Sequence, residues 1–138
     1  MRRSLSQLAV GDRIIMQGMV FHGYHGVFNA EKQLGQKFLV DIEMTTDLRK
    51  AGQSDHVRDT VDYSQVYEMI QSLFHHDMKF NLIEKVGETI ASSVLNRFVQ
   101  VDSVKVAVKK PHVAFPGSLQ FVGIEIERKR RAGTSNGN

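Results

Sequence analysis

A few side chains in this sequence have types and positions that could do chemistry. Lys110 closes the run Val104-Lys105-Val106-Ala107-Val108-Lys109-Lys110 and precedes Pro111. Valines alternating with lysine and alanine follow the period of two of a half-buried strand. Pro111 offers no N–H to a ladder and ends regular pairing. Lys110 therefore stands at the mouth of a strand, where a lysine either guards an edge or moves protons and orients a substrate. Glu84 lies three residues after Asn81, the capping-box spacing. The alternative use is as a carboxylate at a helix start that accepts a fork of guanidine-like N–H donors from a ligand. Tyr63 opens a helical stretch and is either a core aromatic or a phenol that relays a proton. Glu31, in a glycine-containing loop, is expected on position alone to be solvated, with catalytic use as the alternative. His22-x-x-His25, with His75, His76 and His112 elsewhere, raises a zinc reading. Two loop histidines at i and i+3 need not converge, however, and no His-Glu-x-x-His occurs. Gly-x-Gly-x-x-Gly, the P-loop and Gly-x-Ser-x-Gly are also missing, which leaves nucleotide-fold and serine-hydrolase readings without support.

These groups need elements to position them. Residues 12–22 alternate as a strand with Ile14, Met16 and Val20 on one side and Ile15, Met19 and Phe21 on the other; two apolar faces predict cover on both sides. Residues 22–35, with Gly23, Gly26 and Gly35, read as a long loop, a class that is often functional. Residues 36–48 form the clearest strand, with Phe38, Val40, Ile42 and Met44 on one face. Leu48 to Thr60 reads as a polar connection. A helix follows, with Asp62 as N-cap and Gln65 at the capping-box position. Its stripe is Tyr63, Val66, Tyr67, Ile70 and Phe74, and His75-His76-Asp77 ends it. A second helix is predicted from Asn81, with Ile83, Val86, Ile90, Val94 and Phe98 as its stripe. Strands at 103–110 and about 119–127 complete a β-β-α-α-β-β order. That order predicts an α+β domain, a four-stranded antiparallel sheet with both helices on one face. Its free sheet edges predict edge-to-edge association.

At 138 residues, with 41% hydrophobic and 24% charged residues, the chain is long enough for one domain with a substantial core. The expected division is a disordered leader at 1–11, a single domain at 12–128 and a disordered basic tail at 129–138. There is no cysteine, which excludes disulfides, thiolate catalysis and cysteine-bound zinc. Six of the eighteen basic residues lie at the ends, so residues 4–127 carry twelve basic residues against all fifteen acids, a net charge of −3. The body thus has no basic stripe for nucleic acid, and no apolar run approaches a membrane span of about 20 residues. No nucleic-acid or membrane partner is expected. The expected location is the cytoplasm, with an organelle peptide at the N-terminus as the alternative.

Five segments in this order, Phe21-His22-Gly23-Tyr24-His25-Gly26-Val27, Glu31 with Gly35-Gln36, Asp59-Thr60-Val61-Asp62-Tyr63, Asn81-Leu82-Ile83-Glu84 and Lys109-Lys110-Pro111, resemble the dihydroneopterin aldolase family of the folate pathway. The resemblance covers residues 13 to 128. It implies the tunnelling fold, with subunits joined into rings around a channel and two tetrameric rings stacked as a homo-octamer. Each pocket would lie between subunits, with Val61 and Tyr63 from a different chain than Glu84 and Lys110. The implied substrate is 7,8-dihydroneopterin, cleaved to 6-hydroxymethyl-7,8-dihydropterin and glycolaldehyde, with C2′ epimerisation as a side activity. By the same resemblance Glu84 anchors the pterin, and Ile83, Thr60 and Val61 add contacts. Lys110 is the acid–base group, Tyr63 assists proton transfer and Glu31 orders Lys110. The dihydropterin's own N5=C6 imine can take the electrons, so no metal, covalent lysine or other cofactor is implied. For Lys110 to act as a base near neutral pH, its pKa is expected to fall well below the usual value of about 10.4 through desolvation at a subunit interface. A phosphorylated substrate would call for a basic cluster near the side-chain end, for which Lys109 is the candidate.

Overall fold

The computed structural model describes residues 11–131, so most of the expected leader and residues 132–138 of the expected tail lie outside the described residues. Four strands, β1 (Arg13–Gly23), β2 (Gln36–Thr45), β3 (Ser103–Lys110) and β4 (Val122–Lys129), form one antiparallel sheet in chain order. Between β2 and β3 lie the two long helices, Tyr63–Ser72 and Ile83–Arg97. The β-β-α-α-β-β order holds for these long elements. Two short helices, Asn29–Leu34 and Arg49–Ser54, and a 3₁₀ turn at Val57–Asp59 fill stretches expected to be loop and connection. A six-residue helix is too short to show a helical period in sequence. In chain order the helices are α1 (Asn29–Leu34), α2 (Arg49–Ser54), α3 (Tyr63–Ser72) and α4 (Ile83–Arg97).

The core is the layer between sheet and long helices. Phe38, Val40, Ile42 and Met44 of β2 and Val104, Val106 and Val108 of β3 fall on one face and are buried. Val66 and Ile70 of α3 and Val86, Ile90 and Val94 of α4 close over them. Each side chain of this size gains about 1.5–3 kcal/mol by leaving water. The two periodicities, two in the strands and 3.6 in the helices, therefore choose the same face. The opposite sheet face is open in the single chain. Ile15 and Val20 are 55% and 54% exposed there, so among the described residues nothing covers the second side of β1.

The structure corrects four local expectations. In β1 the alternation breaks between Met16 and Met19, where a bulge shifts the register against β2. Gly18 adopts φ 76° there, and its N–H donates to Asp41 Oδ1 at 2.6 Å. The bulge puts Met19 and Phe21 on the same inner side as Ile14 and Met16, leaving Ile15 and Val20 outside. At α4 the capping box on Asn81 does not form. The N-cap position is Leu82, and Asn81 Oδ1 instead accepts from Lys32 Nζ at 2.6 Å. Asp62 does cap α3, accepting from Ser64 N–H at 3.0 Å, but that helix ends at Ser72, before His75. At the far end, Lys129 closes β4, and the Arg130 guanidinium donates to the carbonyls of Leu95, Phe98 and Val101. The expected tail thus begins inside the folded body, capping the C-terminal end of α4.

Candidate active site

Lys110 is the last residue of β3, half-buried, with its backbone paired to Val122. Its ammonium reaches Glu31 Oε2 at 2.7 Å. Glu31 was expected to be solvated; it is only 9% exposed. The reason is α1. This single helical turn lies over the mouth of β3 and ends at Gly35, whose φ of 73° lets the chain reverse into β2. The reversal points Gln36 back at Glu31, and its amide donates to Glu31 Oε2 at 3.0 Å and to the His25 carbonyl at 2.9 Å. The Phe28 N–H donates to Glu31 Oε1 at 3.1 Å. A side chain at Gly26 would put its Cβ 2.5 Å from the Glu31 carboxyl, so glycine is required for the close approach. Burial pushes the Glu31 pKa up. The hydrogen bonds from Lys110, Gln36 and Phe28, with the lysine's charge, outweigh it and hold the carboxyl below its ordinary value.

Glu31 and Lys110 line a pocket of about 290 Å³. Its other wall is the start of α4, with Leu82, Ile83 and Glu84, and its rim is the loop after β3, with Val113, Ala114 and Phe115. Glu84 sits in the first turn of α4, exposed, with no hydrogen-bond partner among the described residues. The helix N-terminus favours its negative charge. The pocket thus holds two carboxylates in opposite conditions. Glu31 is saturated by donors, whereas both oxygens of Glu84 are open to a ligand's N–H groups.

Of the expected site residues, the chain brings together Glu31, Ile83, Glu84 and Lys110. Thr60, Val61 and Tyr63 line no part of this pocket. Thr60 borders a separate depression with Arg58 and Gln65, Val61 is buried in the core, and Tyr63 is 65% exposed. Lys109, the candidate for a phosphate cluster, faces the open side of the sheet and pairs with Asp41 at 2.9 Å. The depression of about 450 Å³ on that side is larger, but its Asp41–Lys109 and Lys105–Glu125 pairs already satisfy each other.

Among the described residues no group of three or more His, Asp or Glu side chains could hold a metal ion. His25 is 1% exposed, and both its ring nitrogens are used. Nδ1 accepts from the Phe80 N–H at 2.9 Å, so Nε2 carries the proton and donates to the Leu73 carbonyl at 2.7 Å. His22 Nε2 lies 3.1 Å from the Leu34 carbonyl. Sequence reasoning assigns Gln36 no role and weighs the His25 ring only as a zinc ligand. The signal for Gln36 is its place directly after the helix-ending Gly35.

Comparison with known proteins shows the family. The family model for FolB, dihydroneopterin aldolase, matches residues 14–127. The dihydroneopterin aldolase of Streptococcus pyogenes serotype M1 is 42% identical over 119 residues, covering 86% of this chain and 99% of its own. Dihydroneopterin aldolase 1 of Arabidopsis thaliana is 38% identical over 128 residues, covering 92% and 87%. The crystal structure of the E. coli dihydroneopterin aldolase in complex with neopterin superposes with a TM-score of 0.77 at 33% identity, covering 85% of this chain and 98% of that one. The family model runs from β1 into β4 and takes in both long helices, and the chain belongs to the dihydroneopterin aldolase family.

Proposed function

We propose that the protein is a metal-independent carbon–carbon lyase that cleaves 7,8-dihydroneopterin in folate biosynthesis. The observation that carries this reading is the buried Glu31–Lys110 pair, 2.7 Å apart, in the pocket that also presents the open carboxylate of Glu84. Glu84 accepts the pterin's 2-amino and N3–H donors, a geometry suited to a carboxylate. Ile83 supplies backbone contact beside it. The side chain of the substrate then points toward Lys110.

In the reaction the 2′-hydroxyl gives up its proton and the C1′–C2′ bond breaks. C2′ leaves as the aldehyde carbon of glycolaldehyde. The electron pair passes through C1′ into the C6=N5 imine, and C1′ then takes a proton to become the hydroxymethyl group. The pterin ring itself is the electron sink, so a Schiff base or a metal has no task to perform. Lys110 handles the 2′-hydroxyl proton and Glu31 fixes its ammonium in place. Re-addition to the other face of the glycolaldehyde before it leaves gives the C2′ epimer as a side product.

Thr60, Val61 and Tyr63 complete the pocket from a neighbouring copy, with Tyr63 assisting proton transfer. The separation of these residues from the Glu31–Lys110 pocket supports this, as do the exposure of Tyr63 and the free edges of β1 and β4. The assembly proposed is an octamer of two four-membered rings, each chain contributing one domain over residues 12–128. Among the described residues no helix is long and apolar enough to cross a membrane. The test is chromatography of the products after incubation with 7,8-dihydroneopterin, with and without EDTA. Hydroxymethyl-dihydropterin and glycolaldehyde in equal amounts, unaffected by EDTA, are expected. Loss of product on chelation would overturn the metal-independent mechanism, and no cleavage at all would overturn the function.

A further inference from the structure

His25 is a buried titratable group that the mechanism above does not use. Its ring stacks on Phe80, with centroids 5.2 Å apart, and meets the edges of Phe38 and Phe74. Packing alone would accept phenylalanine there. The hydrogen bonds go further. The ring holds the Phe80 N–H on Nδ1 and the Leu73 carbonyl on Nε2, while the next residue, Gly26, donates its N–H to the Phe80 carbonyl at 2.9 Å. The peptide groups on both sides of Phe80 are therefore fixed by residues 25 and 26. Phe80 stands four residues before Glu84, on the irregular segment that leads into α4. On its other side, the His25 carbonyl accepts from Gln36, whose second bond goes to Glu31 and so to Lys110. One residue thus joins both walls of the pocket.

We infer that His25 is a positioning residue that sets the start of α4, and with it Glu84, against the Glu31–Lys110 pair. This rests on the function proposed above. The ring can do so only as the neutral Nε2–H tautomer, because an imidazolium has no lone pair for the Phe80 N–H. Burial lowers its pKa, the Leu73 bond opposing, which keeps it in that form at neutral pH. The groups around the ring are Phe38 of β2, Leu73 and Phe74 after α3, and Phe80 before α4. The charged residues coupled to it are Glu31 and Lys110, through Gln36.

The test compares His25→Phe, which keeps the aromatic packing, with His25→Asn, whose amide oxygen can still accept the Phe80 N–H. Neopterin affinity, kcat for dihydroneopterin and thermal melting are measured for each in the full chain. Leaving the buried Phe80 N–H without an acceptor should weaken neopterin binding about tenfold in His25→Phe. His25→Asn should recover most of that loss whatever its melting temperature. Unchanged affinity in a folded His25→Phe, or equal loss in both variants, would overturn the inference. If His25→Phe does not fold, His25→Leu takes its place, since it fills the apolar surroundings but offers no acceptor to the Phe80 N–H. Failure of the wild-type protein to cleave dihydroneopterin would overturn the function, while variant and wild-type affinities for neopterin would still decide the role of His25. Absence of neopterin binding by wild type would overturn both.

Discussion

Two groups of candidate site residues behave differently in this chain. Glu31, Ile83, Glu84 and Lys110 come from three elements far apart in sequence and meet around one pocket, two of them joined at 2.7 Å. Thr60, Val61 and Tyr63 lie within one four-residue stretch, yet they lie off that pocket, and the phenol of Tyr63 stands in solvent. The first group is preorganised by the fold of the single chain. The second would join it only from another copy, as in the assembly proposed above. On the proposed assignment one chain builds the pterin anchor and the acid–base pair, and a neighbouring copy would add the rest. The pocket of the single chain is modest, about 290 Å³, just below the usual range for small-molecule sites.

The sharpest way to break this comparison is Lys110→Ala. Removing the acid–base group should lower kcat roughly 10²–10⁴-fold while neopterin affinity, measured by titration, changes by only a few-fold. A parallel loss of both would make Lys110 a binding residue. Glu84→Ala should do the reverse. It removes two charge-assisted hydrogen bonds worth about 1.5–3 kcal/mol each, so affinity should fall about 100-fold or more. Wild-type binding by that variant would leave Glu84 as no more than a favourable charge at the start of α4. Tyr63→Phe should reduce kcat about tenfold without changing the melting temperature, because the hydroxyl is exposed in the protomer.

The smallest effect concerns the ion pair itself. The carboxyl of Glu31 is held below its ordinary value. The stability this gives is therefore fully present above the ordinary carboxylate range and is lost as pH falls through the lowered value. Glu31→Gln should cost about 1–3 kcal/mol at neutral pH, read from denaturant unfolding, and the difference from wild type should shrink on acidification. A gap that persists at low pH would assign the loss to packing.

Much of the fold was legible because the long elements obey one period each. The Val-x-Val-x-Val of β3 and the stripe from Ile83 to Phe98 point to the same buried layer. What escaped were features decided by single residues or by contacts across the chain. Gly18 reverses the faces of β1 by a bulge held on Asp41, a partner 23 residues away. α1 is one turn long, and only its docking over β3 buries Glu31. Asn81 and Glu84 have capping-box spacing, but the helix begins one residue later than that spacing implies, and Lys32 takes Asn81 instead. The candidate residues themselves came from resemblance, since Lys110, Glu84 and Tyr63 each had a plain structural reading from their types alone. Gln36 and His25 act through neighbours 5 and more residues away, and periodicity carries no signal for that.

The most direct test of the shared site is subunit mixing. Lys110→Ala and Tyr63→Phe proteins are each assayed alone, then co-expressed in equal amounts and assayed as the mixed assembly. If each site takes Lys110 from one chain and Tyr63 from another, random mixing restores about a quarter of the sites, and turnover should rise well above the average of the two variants toward that fraction. Turnover no greater than the average of the two would mean that both residues act within one chain, contradicting the account.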